Sequence, residues 1–100
     1  MDRSKFLKEL KCLYPEVTEG INKQDGLLHF EMQVFRAFTE KAINADDKEK
    51  VKSCYSFAEK VFLNGDEKLK NAIDATYVEE FDFYGKKWAW EIFPENLKNL

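Results

Sequence analysis

Apolar residues recur along this chain at intervals of three and four positions, which places them on one face of an α-helix. Only four glycines and two prolines interrupt the pattern. We therefore predict an all-α fold, with residues 1–100 forming a single helical domain. Short connections at residues 44–47 and 64–66 predict antiparallel neighbours, so the architecture is a single-domain bundle or a short stack of about five antiparallel helices.

The first two helices are separated by a predicted loop at residues 20–25. The first is predicted over Arg3–Tyr14, where Pro15 ends it because a proline cannot continue the backbone hydrogen bonding. The second is predicted from Asp25 or Gly26 to Ala45, and its wide apolar stripe predicts that it is the most buried helix. The stripe consists of Leu28, Met32, Phe35, Thr39, Ala42 and Ile43, widened by Leu27, Phe30, Val34, Ala37 and Phe38.

Capping residues divide the second half of the chain. Asp46, with Glu49 three positions later, predicts a capping box at the start of a third helix, which Asn64-Gly65 ends. Asp66 is predicted to cap a fourth helix over Glu67–Phe81. A short fifth helix is predicted up to Pro94, followed by one further turn over residues 95–100.

Composition excludes several classes of protein. With 44% hydrophobic and 35% charged residues, 100 residues can bury a core without a metal or a disulfide framework. No apolar run reaches the ~20 residues of a membrane span, and residues 1–5 do not begin a signal peptide. A net charge of −3 disfavours nucleic-acid binding. We therefore expect a cytoplasmic protein, monomeric when free, that contacts neither membrane nor nucleic acid directly.

Residues that could carry chemistry are few. His29 is the only histidine and has no companion at a metal-ligand spacing, and no phosphate loop or nucleophile motif occurs. We expect no catalytic residue, metal or cofactor; an enzyme would need His29 and Glu79 in one pocket. Cys12 and Cys54 are interpreted as reduced thiols within helices, and a single disulfide between them is the open alternative.

One polar stripe crosses the apolar second helix. It consists of His29, Gln33, Arg36 and Glu40, at helical spacings of four, three and four. The simpler interpretation is a solvated face with an Arg36–Glu40 ion pair. The alternative is a groove that binds a peptide or helix of a partner protein.

The C-terminal third is acidic and aromatic, and it contains no Lys or Arg from Asn71 to Gly85. Phe81, Trp88 and Phe93 are expected to pack in the core. The remaining residues predict a surface for a basic protein partner. These candidate partner-binding residues are Asp74, Glu79, Glu80, Asp82 and Tyr84.

Glu80 has two open interpretations, because its position on a continued fourth helix would point inward. A buried carboxylate needs a donor. Either the helix ends before Glu80 and exposes it, or Glu80 accepts a hydrogen bond from Arg36, His29 or Tyr77.

Scattered motifs over about residues 20–97 resemble a family of small all-helical bacterial domains of unknown function. The motifs are Gly26-Leu27-Leu28-His29 with Met32, Asn64-Gly65-Asp66-Glu67 with Asn71-Ala72, Tyr77-Val78-Glu79, and Trp88-Ala89-Trp90-Glu91 with Pro94. Some proteins of this kind resemble immunity proteins of contact-dependent growth inhibition and other polymorphic toxin systems. The resemblance points to His29, Asn71 and Glu79 as recurrent polar positions, whereas Glu80 is more acidic than the pattern.

The resemblance implies a non-catalytic immunity protein that binds and neutralises a cognate toxin domain in the cytoplasm. The acidic aromatic surface favours a basic toxin, such as a nuclease domain. The alternative function is a helical adaptor that binds a peptide or helix along the His29/Gln33/Arg36/Glu40 stripe.

Overall fold

The computed structural model describes residues 1–100 and contains helices but no strands, which confirms the predicted all-α class. The helices, in chain order, are α1 (Arg3–Leu13), a 3₁₀ turn (Pro15–Val17), α2 (Thr18–Asn22), α3 (Leu28–Asn44), α4 (Lys48–Asn64), α5 (Glu67–Ala72), a π-helix (Ile73–Val78), α6 (Lys87–Glu91) and α7 (Glu95–Lys98).

Aspartates begin three of the helices, because each carboxylate accepts a hydrogen bond from a backbone N–H that has no partner within the helix. Asp2 caps α1 and Asp66 caps α5, the latter as predicted. The prediction that Asp46 caps the third helix is wrong, since Asp47 does so. Asp46 has a left-handed backbone (φ 55°) and ends α3, because the N–H of Asp47 binds the carbonyl of Ala42 at 2.9 Å.

The long central helix is shorter than predicted. The helix α2 (Thr18–Asn22) extends into the loop predicted at residues 20–25, and α3 begins only at Leu28. Met32, Phe35 and Ile43 are fully buried as predicted. The additional apolar residues that were predicted to widen this buried stripe are not all buried.

Leu27 and Phe30 remain 53% and 48% exposed, and Ala37 is exposed as well. Two glutamates that the pattern did not place inside, Glu31 and Glu40, are buried on α3 instead.

The fourth predicted helix changes geometry after Ala72 and ends at Val78, three residues before the predicted end at Phe81. A π-helix fits more residues into each turn, so both Thr76 and Tyr77 reach α3. The Tyr77 ring stacks on Phe35 with centroids 4.9 Å apart, and its hydroxyl donates to Thr39 Oγ1 at 2.9 Å. This packing fixes the position of the π-helix, from which the acidic residues 79–86 continue.

The two C-terminal helices cover one end of α4. The Tyr55 hydroxyl of α4 donates to the Ala89 carbonyl of α6 at 2.9 Å, and the Tyr55 ring meets Phe93 edge-on. Phe93 is buried, while Phe81 and Trp88 are partly buried against the core. These three aromatic residues pack as predicted.

The α1 helix is attached to α3 by an ion pair whose carboxylate is buried and whose guanidinium is partly exposed. Arg3 donates to both carboxylate oxygens of Glu31, at 2.8 and 2.7 Å, and the Glu31 side chain is only 2% exposed. The hydrogen bond with Glu31 raises the pKa of Arg3, so the guanidinium stays charged. Two-pronged pairs of this kind are the strongest ionic hydrogen bonds in proteins.

The two cysteines are free thiols that do not form the alternative disulfide. Cys12 is exposed on α1, whereas Cys54 is buried on α4. Burial raises the pKa of the Cys54 thiol, so this residue is a neutral part of the core.

We predict that Gly65→Ala destabilises the fold, because a Cβ at this position would lie 2.5 Å from the Val61 carbonyl oxygen and 2.8 Å from Leu69 Cβ. Overpacking of this kind costs about 1–3 kcal/mol. Urea unfolding measures the effect, with the exposed helical substitution Ser56→Ala as the control. Equal midpoints for the two variants would show that the turn between α4 and α5 has room for a side chain.

We also predict that Arg3→Met lowers the free energy of unfolding by about 2 kcal/mol, because it leaves the Glu31 carboxylate buried without its charged donor. Lys23→Met is the matched control, since the Glu19–Lys23 pair is exposed on both sides. Urea unfolding at neutral pH compares the two. A similar loss from both substitutions would contradict a special role for the buried pair.

Candidate protein-binding surface

The acidic segment, residues 79–86, follows the π-helix as a tightly fixed turn. The Asp82 carboxylate accepts a hydrogen bond from the Tyr84 N–H at 2.7 Å, and the Lys86 N–H binds the Phe83 carbonyl at 2.9 Å. Tyr84 and Gly85 both have a left-handed backbone, with φ of 53° and 67°. Glycine adopts this conformation without steric cost, so Gly85 completes the turn.

Arg36 of α3 holds the start of this segment. Its Nη1 donates to the Thr76 carbonyl at 2.9 Å and to Glu80 Oε2 at 2.6 Å. Its Nε lies 3.5 Å from Glu40 Oε2, and the side chain is only 18% exposed. One guanidinium thus joins α3 to the end of the π-helix and to the acidic segment.

Glu40 holds the segment one turn further along α3. Its Oε2 accepts a hydrogen bond from the Asp82 N–H at 2.7 Å, and its side chain is 12% exposed. Burial raises the pKa of Glu40 above its ordinary 4.5, and the negative charges of Asp82 and Glu80 add to the rise. The Asp82 N–H and the Arg36 charge act in the opposite direction. Two carboxylates, Glu40 and Glu80, therefore share one guanidinium, and the Asp82 charge near Glu40 leaves this part of the surface negative.

His29 also contacts the π-helix. Its Nδ1 lies 2.7 Å from Thr76 Oγ1. Three residues of the predicted polar stripe, His29, Arg36 and Glu40, therefore bind residues 76–82 of the same chain, and Gln33 is half-buried. The interpretation of this stripe as a solvated face is wrong for Arg36 and Glu40, although the ion pair between them exists.

The two interpretations of Glu80 both hold in part. The helix ends before Glu80, and the Glu80 side chain is 53% exposed while it binds Arg36. A carboxylate can therefore be paired and still present a free oxygen to a partner.

The five predicted partner-binding residues all lie on the exposed side of residues 74–84. Asp74 and Glu79 are exposed, and neither forms an ion pair within the chain. Tyr84 is 46% exposed. Glu80 and Asp82 are exposed but also form the contacts described above.

Sequence reasoning missed Trp90, which is not among the predicted partner-binding residues. It is 48% exposed, and its ring packs edge-on against Phe83 at 5.6 Å. Lys98 Nζ lies 4.7 Å above the same ring. Trp88, which is predicted to pack in the core, lies two positions earlier, about 200° around a helix, and this spacing was the available signal for an exposed position. Trp90 extends the acidic aromatic surface through Phe83.

No cavity in the structure is lined by His29 or Glu79, the pair that the enzymatic hypothesis requires. No group of three or more His, Cys, Asp or Glu residues is placed to hold a metal ion. None of the helices combines the length and the apolar character needed to cross a bilayer.

A family described as a domain of unknown function matches residues 7–100, which is nearly the whole chain. The chain belongs to this family, DUF7674. The match covers α1 from Leu7 onwards and every residue of the acidic surface. The DUF7674 domain therefore includes Arg36 and Glu40 together with the acidic segment that they bind. The resemblance to a small helical family without a known activity is thus confirmed. No curated protein and no solved structure matches the chain.

We predict that Glu40→Gln makes the stability of the DUF7674 domain less dependent on pH. The pKa of Glu40 is raised in the folded state, so the folded state binds its proton more tightly, and stability is lost as pH rises from about 4.5 upward. Glutamine keeps an oxygen that can accept the Asp82 N–H but carries no charge. Urea unfolding from pH 4 to pH 7 should show a smaller decline for this variant.

Glu49→Gln is the control for that experiment, because Glu49 is an exposed glutamate of α4. Parallel pH profiles for the wild type and Glu40→Gln would contradict the assignment of the pH dependence to Glu40.

Proposed function

We propose that this DUF7674 domain is a non-catalytic immunity protein, which binds and neutralises a cognate toxin domain through its acidic aromatic surface. It would act as a monomer in the cytoplasm of the toxin-producing cell. The charge of the surface favours a basic toxin, and a nuclease domain, whose cleft binds phosphates, is the partner class that fits it.

The excess of negative charge around Arg36 is the observation that carries this proposal. Arg36 partners Glu80 and Glu40, and Asp82 lies beside them, while the exposed carboxylates of Asp74 and Glu79 add two charges without an ion-pair partner in the chain. Basic side chains of a partner would supply the missing positive charge. Complementary charge of this kind speeds association and excludes wrong partners.

Exposed aromatic rings supply the second requirement of a protein interface. Tyr84 and Trp90 are each about half exposed, at 46% and 48%, and the intervening Phe83 contacts Trp90. Tyrosine and tryptophan are enriched among the residues that dominate binding energy, because they bury a large area and offer one hydrogen bond. A rigid turn presents Tyr84, so little conformational freedom is lost on binding.

The alternative, an adaptor that binds a helix along the His29/Gln33/Arg36/Glu40 stripe, is less compatible with the observed contacts. An incoming helix would have to displace residues 76–82, which already bind three of the four side chains. The acidic surface is open without any such rearrangement. We therefore favour the immunity function.

We predict that Asp74→Lys/Glu79→Lys weakens binding to the cognate toxin domain at least about tenfold, because it reverses two charges that face a basic partner. Both residues lack ion pairs within the chain, so the fold should be unaffected. The toxin domain to use is the one encoded beside this protein's gene. Calorimetric titration measures the affinity, and growth of cells expressing that toxin measures protection.

Glu16→Lys/Glu49→Lys is the matched control, since both residues are exposed, lie outside residues 74–84 and give the same change in net charge. This variant should bind and protect like the wild type. Equal affinity of the two double variants would contradict the position of the surface. Full protection without any physical complex would contradict the immunity mechanism itself.

A further inference from the structure

A second surface lies between α1 and α4, which run antiparallel. At one end the Met1 nitrogen donates to the Asn64 carbonyl at 2.6 Å, and at the other end the Tyr14 hydroxyl bonds to Ser53 Oγ. Between these contacts the Phe6 ring stacks on Phe57 at 6.0 Å. The two helices are therefore held at both ends and in the core, and their outer edges leave a groove.

The groove has a volume of about 670 Å³. Its apolar surface is mainly Leu13, which is 51% exposed, above the buried core residue Phe57 (5% exposed), with the exposed Cys12 beside them. The lining residues of α1 run from Ser4 to Leu13, which corresponds to about 15 Å of helix, and α4 adds Phe57 and Lys60. An exposed leucine above an apolar wall is a surface that a partner's apolar side chains could cover.

The rim of the groove is positively charged, although the chain as a whole is negative. Lys5 and Lys8 are exposed and form no ion pair within the chain. Lys60 pairs with Glu9 at 3.2 Å, and the Asp2 carboxylate caps α1 by accepting the Lys5 N–H. The cationic groups left for a partner are therefore the ammonium groups of Lys5 and Lys8.

We propose that this α1–α4 groove docks an acidic amphipathic helix of a partner protein. Apolar side chains of that helix would cover Leu13 and Phe57, and carboxylates on its flanks would pair with Lys5 and Lys8. A helix is the element that fits, since α1 lines the groove from Ser4 to Leu13, about three turns, and could pack against a second helix along that length. The groove is distinct from the acidic surface, so this proposal goes beyond the proposed immunity function and does not depend on it.

Two synthetic helical peptides of about 12 residues test the proposal. Both carry leucines at positions i, i+4 and i+7; one has glutamates beside them, and the other has lysines in place of every glutamate. The glutamate peptide should bind with a Kd below about 1 mM, and the lysine peptide at least about tenfold more weakly. Fluorescence anisotropy measures affinity, and amide chemical shifts of the full chain locate the site on α1 and α4.

Lys5→Glu/Lys8→Glu should weaken the glutamate peptide at least about tenfold. Acidic residues are favourable in the first turns of a helix, so this variant should retain α1. Lys41→Glu/Lys68→Glu is the matched control, because both lysines are exposed, lie outside the groove and give the same change in net charge. It should bind like the wild type.

Several results would overturn the proposal. They are absence of binding by the glutamate peptide at 1 mM, an equal loss of affinity in both double variants, and chemical shifts confined to residues 74–84. Self-association of the free chain that Lys5→Glu/Lys8→Glu abolishes would also overturn it, since the occupant would then be a second copy. Sedimentation velocity distinguishes that outcome.

Discussion

The burial of two carboxylates on opposite sides of α3 is the constraint on which the rest of the structure depends. Glu31 and Glu40 are nine positions apart, which is about 180° around the helix at 3.6 residues per turn. A buried carboxylate without a donor costs several kcal/mol, so each must be reached by another element. Arg3 brings α1 to Glu31, while Arg36 and the Asp82 N–H bring the acidic segment to Glu40. The central helix α3 therefore holds both α1 and the acidic segment by ionic hydrogen bonds as well as by packing.

This arrangement gives the acidic segment a defined shape. The three carboxylates of residues 79–86 repel one another, and a nearby cation offsets this repulsion. Arg36 of α3 supplies that cation, and its guanidinium also donates to the Thr76 carbonyl of the π-helix. Because the guanidinium is shared, the carboxylates are held in place but not neutralised. The segment is thus held by hydrogen bonds to α3, and its surface is still negative.

The two proposed surfaces differ in charge, and the net charge of −3 conceals this difference. The acidic surface is built on residues 74–84, whereas the α1–α4 groove carries the unpaired Lys5 and Lys8. The central helix separates them, since Glu31 contacts α1 on one side and Glu40 contacts the acidic segment on the other. The two proposed surfaces therefore do not overlap.

The sequence by itself determined the helical class, the cap at Asp66, the buried face of α3 and the acidic character of residues 74–84, because each depends on local spacing or composition. Only the tertiary structure decided which polar residues are inside. Glu31, Arg36 and Glu40 look like surface residues on a helical wheel, and their burial depends on hydrogen-bond partners 28 to 44 positions away along the chain. The use of Asp47 rather than Asp46 as a cap, and the exposure of Leu27, Phe30 and Trp90, likewise follow from how the helices meet. Periodicity shows which face of one helix is apolar, but the partner of a buried charge is set by a contact between elements that are distant in sequence.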